Sequence, residues 1–128
     1  MIVLDTHAWI WWMNAPGSLS RKVQARLRDE KEVGISAMSC RELAMLIAKG
    51  RLELDRDVLL WIHQSLAQPR LSLLPLAPEI AVAAARLGAG FPGDPVDRII
   101  YSTARHHGWR LVTRDERIRR HDPELTFW

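Results

Sequence analysis

Short apolar runs alternate with longer amphipathic segments along this chain. The first run, residues 1–4, ends at Asp5, a pattern typical of a buried parallel strand. Similar runs predict further strands over residues 33–36, 71–74, 110–113 and 125–127. Short strands of this kind separated by helices indicate an α/β architecture with a mostly parallel sheet.

Helical periodicity fills the segments between the apolar runs. It predicts helices over residues 7–13, 18–31, 39–49, 57–67, 78–87, 95–107 and 116–119. Ser18 is the candidate cap of the second helix. Residues 88–93 match G-x-G-x-x-G, but a helix precedes them and a proline interrupts them. We therefore predict a loop there and no dinucleotide site.

Composition limits the class of protein. A length of 128 residues predicts one domain, and a hydrophobic content of 48% excludes a disordered chain. The lone Cys40 excludes an intramolecular disulfide and a Cys-based zinc site. No apolar run is long enough to span a membrane and no signal-peptide pattern is visible, so we expect a cytoplasmic protein.

The charge balance is mildly basic. Lys and Arg number 18 against 15 Asp and Glu, a net charge of +3, and arginine supplies most of the cations. This balance is compatible with nucleic acid but does not require it. The densest segment, residues 114–120, carries four Arg and two acids. It fits either a solvated helix face or a rim that contacts phosphates.

Acidic residues recur where predicted strands end or helices begin. Asp5 follows the first strand, and Asp115 follows the strand at 110–113. Glu42 lies one turn into a helix, while Asp94 and Asp97 open another. Parallel strands direct such residues to one edge of the sheet.

Carboxylates crowded at one edge of the sheet need a cation, and oxygen ligands favour Mg²⁺ or Mn²⁺ over zinc. Such a metal suits hydrolysis of a phosphodiester.

Most of these acids also have a purely structural interpretation. Ser39 and Glu42 match the S-x-x-E capping box. Asp94 precedes a proline as an N-cap would, and it places Asp97 at the third helical position. Asp115 could cap the next helix. Asp5 is harder to explain in this way, because a carboxylate directly after a buried strand needs a partner.

Four blocks of residues, taken together, resemble one known family. They are Val3-Leu4-Asp5-Thr6-His7, the stretch ISAMSCREL at 35–43, GDPVDRII at 93–100 followed by Thr103-Ala104, and LVTRD at 111–115. In this order they are similar to PIN-domain ribonucleases, in particular the VapC-type toxins of toxin–antitoxin pairs. The resemblance covers nearly the whole chain.

The resemblance implies a fold, a set of partners and a set of site residues. The fold would be a three-layer sandwich, a parallel sheet of about five strands with helices on both sides. The chain would form a homodimer and bind a cognate antitoxin. The acids that would hold Mg²⁺ or Mn²⁺ are Asp5, Glu42, Asp97 and Asp115, with Asp94 as a further candidate. Thr6 and Thr113 would support them.

Two functions follow as hypotheses. The first is a metal-dependent endoribonuclease in which Arg98, Arg114 and Arg117 position the RNA backbone. The second is an RNA- or protein-binding module without catalysis, in which the acids are caps or structural ligands. Trp11 also has two interpretations. It could belong to the core beside Trp9 and Trp12, or it could grip a partner chain.

Overall fold

The computed structural model describes all 128 residues, and its centre is a five-stranded parallel sheet in the order β3-β2-β1-β4-β5. The strands are β1 (Ile2–Leu4), β2 (Val33–Ser36), β3 (Leu71–Leu74), β4 (Arg110–Val112) and β5 (Thr126–Phe127). Every neighbouring pair is parallel. The predicted α/β class and the five strands are therefore confirmed.

Seven helices connect the strands. They are α1 (Thr6–Asn14), α2 (Arg21–Asp29), α3 (Ala37–Ala48), α4 (Val58–Leu66), α5 (Pro78–Ala85), α6 (Pro95–His107) and α7 (Glu116–His121). Each overlaps a predicted helix. None is long and apolar enough to cross a lipid bilayer.

Two predicted helix starts are wrong. Helix α2 begins at Arg21 with Ser20 as its cap, because Ser18 ends a short 3-10 turn instead. Helix α3 begins at Ala37, where the Ser36 hydroxyl accepts a hydrogen bond from the Met38 N–H. Ser39 therefore lies inside the helix, and the predicted capping box with Glu42 does not form.

Alternating residues of the central strand enter two separate cores. Ile2 and Leu4 face helices α1 to α4, in a core that includes the fully buried Trp9. Val3 points to the opposite face and packs with residues of α6 such as Ile100. Because both faces are covered by helices, β1 is apolar throughout, as a buried parallel strand requires.

The strand order creates a crevice at the centre of the sheet. The chain runs outward from β1 through β2 to β3 and then crosses back to place β4 on the other side of β1. In open α/β sheets, ligands bind outside the carboxyl ends of the strands at such a reversal. This fold therefore places the residues that follow β1 and β4 side by side.

Candidate active site

Asp5 lies at the carboxyl end of β1, where it caps helix α1. Its carboxylate accepts a hydrogen bond of 2.9 Å from the Ala8 N–H. Burial raises the pKa of the Asp5 carboxyl above its usual 3.8, and the negative charge of Glu42 acts in the same direction. The Ala8 N–H, the Thr113 hydroxyl and His7 oppose this rise without cancelling it. Asp5 is thus a partly buried carboxylate without a cationic partner of its own.

Asp94 and Asp97 form a reciprocal capping box at the start of α6. The Asp97 N–H donates to Asp94 Oδ1 at 2.8 Å, and the Asp94 N–H donates to Asp97 Oδ2 at 3.1 Å. Burial, together with the negative charges of Asp94 and Glu42, raises the pKa of Asp97 from 3.8 to about 7. Asp97 therefore both caps the start of α6 and experiences the negative charges of neighbouring acids.

Gly93 allows the backbone to come close to the Asp97 side chain. A Cβ atom added at Gly93 would lie 2.6 Å from Asp97 Cβ and 2.6 Å from Phe91 Cε1. Contacts this short do not occur between real side chains, so only glycine fits without moving Asp97. The position of the Asp97 carboxylate thus depends on a residue with no side chain.

A buried hydrogen bond holds helix α3 against the start of α1. The Thr6 hydroxyl donates to Ser39 Oγ at 3.0 Å, and both side chains are almost completely buried. Glu42 lies one turn after Ser39 and is partly exposed. Its negative charge contributes to the raised pKa of both Asp5 and Asp97. Thr6 therefore supports the site indirectly, by fixing the helix that carries Glu42.

Asp115 follows β4 and caps helix α7. It accepts hydrogen bonds from the Arg117 and Ile118 N–H groups at 2.9 and 3.2 Å, while its own N–H donates to the Thr113 hydroxyl. Burial raises the pKa of Asp115, but the Arg117 guanidinium at 3.2 Å and the two helix N–H groups outweigh it and lower the pKa. Unlike Asp5 and Asp97, Asp115 already has a cationic partner.

The three arginines predicted at the rim occupy different surroundings. The charge of Arg117 reaches both Asp115 and Asp97. Arg114 is exposed and lies over the ring of Trp11, with its guanidinium carbon 5.8 Å from the ring centroid. Arg98 packs over the ring of Phe91, with its guanidinium carbon 5.5 Å from the ring centroid, and donates to the Phe91 carbonyl at 3.4 Å.

Asp5, Glu42 and Asp97 therefore share one electrostatic environment, with Asp94 at its margin, while Asp115 is turned toward α7. No group of three or more His, Cys, Asp or Glu side chains is close enough to hold a metal ion as the side chains stand. The donor chemistry nevertheless suits Mg²⁺ or Mn²⁺, because every donor is a carboxylate oxygen and neither Asp5 nor Asp97 forms an ion pair with a cationic side chain.

Sequence reasoning missed two residues that shape this site. Gly93 could have been suspected only from its position directly before Asp94. Ser39 was expected to cap a helix or form a local bond, yet its partner Thr6 lies on a different helix. His7 is exposed, and its charge lowers the pKa of Asp5.

The sequence and the structure are both similar to known proteins. The model of the PIN domain family matches residues 2–123. Ribonuclease VapC22 of Mycobacterium tuberculosis is 40% identical over 129 residues, covering 99% of this chain and 98% of that protein.

Among solved structures, VapBC2 from Rickettsia felis, bound to a DNA fragment from its promoter, has a TM-score of 0.72 at 19% identity. That alignment covers 99% of this chain and 98% of the other. FitAcB from Neisseria gonorrhoeae has a TM-score of 0.68 at 25% identity, covering 100% and 97% of the two chains.

Proposed function

The chain belongs to the PIN-domain family, and we propose that it is a VapC-type endoribonuclease that hydrolyses RNA phosphodiester bonds with Mg²⁺ or Mn²⁺. We further propose that it is the toxin of a toxin–antitoxin pair and acts in the cytoplasm. The observation that carries the proposal is the placement of Asp5, Glu42 and Asp97 at the carboxyl edge of the sheet, where the charge of Glu42 raises the pKa of both Asp5 and Asp97.

The proposed metal ligands are the acids at the carboxyl edge of the sheet. Asp5, Glu42 and Asp97 would hold the ion, and Asp94 and Asp115 would complete or orient the set. A divalent cation, when bound, supplies Lewis-acid stabilisation of the charge that develops on the phosphate. Asp115 would have to loosen its contact with Arg117 to join the other acids, because its carboxylate now caps α7.

The remaining groups would hold the acids and the substrate in place. Thr113 lies between Asp5 and Asp115, lowering the pKa of the first and accepting the N–H of the second. Arg117 beside Asp115 and the exposed Arg114, which precedes Asp115 in sequence, would offer planar guanidinium groups for phosphate oxygens. Arg98 would contribute only if it left the ring of Phe91.

An antitoxin partner is supported by exposed apolar side chains on one side of the molecule. Helix α4 exposes 58% of Leu59 and 49% of Leu60, and neighbouring α3 exposes Met45. Trp11, by contrast, is half-buried between His7 and Trp128. We therefore propose α3 and α4, rather than Trp11, as the surface that binds the antitoxin. The homodimer stays a prediction.

Cleavage of a pool of structured RNAs by the purified protein tests the proposed activity. We expect cutting with Mg²⁺ or Mn²⁺, none with EDTA, and a loss of about 10³-fold or more in Asp5→Asn, since metal ligation is worth several kcal/mol of barrier. Asparagine caps helices as well as aspartate does, so the melting temperature should not fall.

Asp57→Asn is the matched control. Asp57 caps α4 through hydrogen bonds to the Leu59 and Leu60 N–H groups, but it lies away from the crevice. Its variant should cleave RNA normally. Tight RNA binding without metal-stimulated cleavage in the unaltered protein would favour the binding module instead.

A further inference from the structure

A second feature of the molecule is a cationic cleft at the β5 edge of the sheet. Its volume is about 610 Å³, large enough for a nucleotide. We call it the β5 cleft. Its charged lining consists of four cations, Lys22, Arg110, Arg119 and Arg120, and one acid, Glu116. The cleft therefore concentrates positive charge equal to the net charge of the whole chain.

Most of this charge is not neutralised by the protein. Glu116 pairs with Arg120, whereas Lys22, Arg110 and Arg119 have no carboxylate partner. The Nε atoms of Arg110 and Arg119 are buried and lack any hydrogen-bond acceptor. Neither guanidinium has an acceptor other than a backbone carbonyl, of Thr126 for Arg110 and of Arg114 for Arg119, so both charges are free to bind an anionic oxygen.

Aromatic rings hold these cations in position. Lys22 and Arg110 both lie over the ring of Phe127, at 5.5 and 4.6 Å from its centroid. Trp128 also lines the cleft and is half-exposed. Rings interleaved with cations are typical of surfaces that follow a nucleic-acid backbone.

Contacts within the protein link the lining of the β5 cleft to the segment that carries Asp115. Arg119 in the cleft donates to the backbone carbonyl of Arg114 at 3.2 Å, and Arg114 directly precedes Asp115. The side chain of Arg114 lies over Trp11, whose ring packs edge-on against Trp128. Arg114, which is exposed, therefore lies between the lining of the cleft and Asp115 in this chain of contacts.

We propose that the β5 cleft binds the phosphodiester backbone of the RNA substrate next to the bond that is cleaved. This proposal rests on the proposed ribonuclease function, but it concerns binding, which is measured separately from cleavage. It assigns Lys22, Arg110 and Arg119 as phosphate contacts, in addition to the arginines at the rim of the crevice.

The test is fluorescence anisotropy with a labelled single-stranded RNA of mixed sequence, using Asp5→Asn so that the RNA stays intact. In this background we compare Lys22→Gln/Arg119→Gln with Lys31→Gln/Arg51→Gln, which removes the same two charges from exposed positions outside the cleft. The first pair should weaken binding about tenfold and lower the slope of log Kd against log salt by about 1.4. The second pair should change the affinity and the salt dependence much less than the first pair does.

Melting temperatures show whether each variant is folded. Should Arg119→Gln disturb the fold, Lys22→Gln alone keeps the test decisive, because Lys22 is exposed and should lower the slope by about 0.7. Equal losses of affinity in the cleft and control pairs would overturn the proposal while leaving RNA cleavage by the unaltered protein, and thus the ribonuclease function, intact.

Two further arms distinguish other occupants of the cleft. RNA and DNA share the phosphodiester backbone, so the titration is repeated with DNA of the same sequence, and an effect confined to DNA would overturn the assignment to the substrate. Polyglutamate serves as an acidic peptide. If the cleft variants lost polyglutamate binding but kept RNA binding, the cleft would be a protein-docking site and the proposal would be wrong.

Discussion

Carboxylates at the two ends of the parallel sheet have pKa values shifted in opposite directions. At the amino end, Glu30 is only 8% exposed, yet it pairs with Arg26 and with the amino group of Met1. Burial raises its pKa, but the two cations outweigh this and lower it below the usual 4.5. At the carboxyl end, Asp97 has acids for neighbours, and its pKa is raised to about 7.

The difference teaches that burial by itself does not decide the state of a carboxylate. The charge of Glu30 is neutralised by partners within the protein, so its role is structural. Asp5 and Asp97 form no ion pair. The hydrogen bonds that they accept and the charges of His7 and Arg117 offset only part of the cost of burial, so the pKa of each stays raised. The acidic crevice is therefore the end of the sheet that an external cation would stabilise.

Among the variants that test this comparison, Gly93→Ala should have the largest effect, because it displaces an acid of the crevice while every charge is kept. The new Cβ would displace the Asp97 side chain by up to about 1 Å, which should lower RNA cleavage roughly 100-fold. Gly90→Ala is the control, since nothing lies within 4 Å of the added atom there. Single-turnover cleavage rates measure both variants, and full activity of Gly93→Ala would show that the position of Asp97 does not matter.

Glu30→Gln should destabilise the amino end by about 2 kcal/mol, because it removes one partner of a buried ion pair whose arginine is partly exposed. The folded-state pKa of Glu30 is lowered, so its contribution is complete above pH 4.5 and disappears as the pH falls through that lowered value. Urea unfolding at pH 7 and pH 3 measures this. The exposed pair Arg120–Glu116 provides the control, as Glu116→Gln should cost less than about 0.5 kcal/mol.

Asp97→Asn should have the smallest effect on stability and the opposite sign. In EDTA at pH 8, replacing this carboxylate by an amide should stabilise the fold by about 1 kcal/mol, since the amide oxygen can still accept the Asp94 N–H. The gain should shrink as the pH falls from about 7 toward 3.8, where the carboxyl is protonated in both states. A loss of stability at pH 8 would mean that the Asp94 N–H and the charge of Arg117 stabilise the Asp97 carboxylate by more than burial and the neighbouring acids cost.

Local patterns predicted the elements well because strand and helix periodicities depend on neighbours a few residues apart. The patterns predicted two helix starts wrongly, because more than one nearby serine was able to cap each of those helices. Strand β2 continues through Ser36, which pairs with Leu74, and the helix can begin only after it. Ser39 was left inside α3, where its hydroxyl accepts a bond from Thr6. The choice between Ser36 and Ser39 therefore depended on strands and helices distant in sequence.

The sequence by itself determined the α/β class, the strands and the placement of acids at strand ends and helix starts, since these features are encoded in short-range spacing. Only the tertiary structure decided which acids face one another and which find a partner. Asp115 pairs with Arg117, whereas Glu42, on α3, lies where its charge acts on Asp5 and Asp97. The β5 cleft likewise joins residues from both ends of the chain, Lys22 and Phe127 among them. Charge–charge interactions depend on distance in space, and the strand order sets those distances.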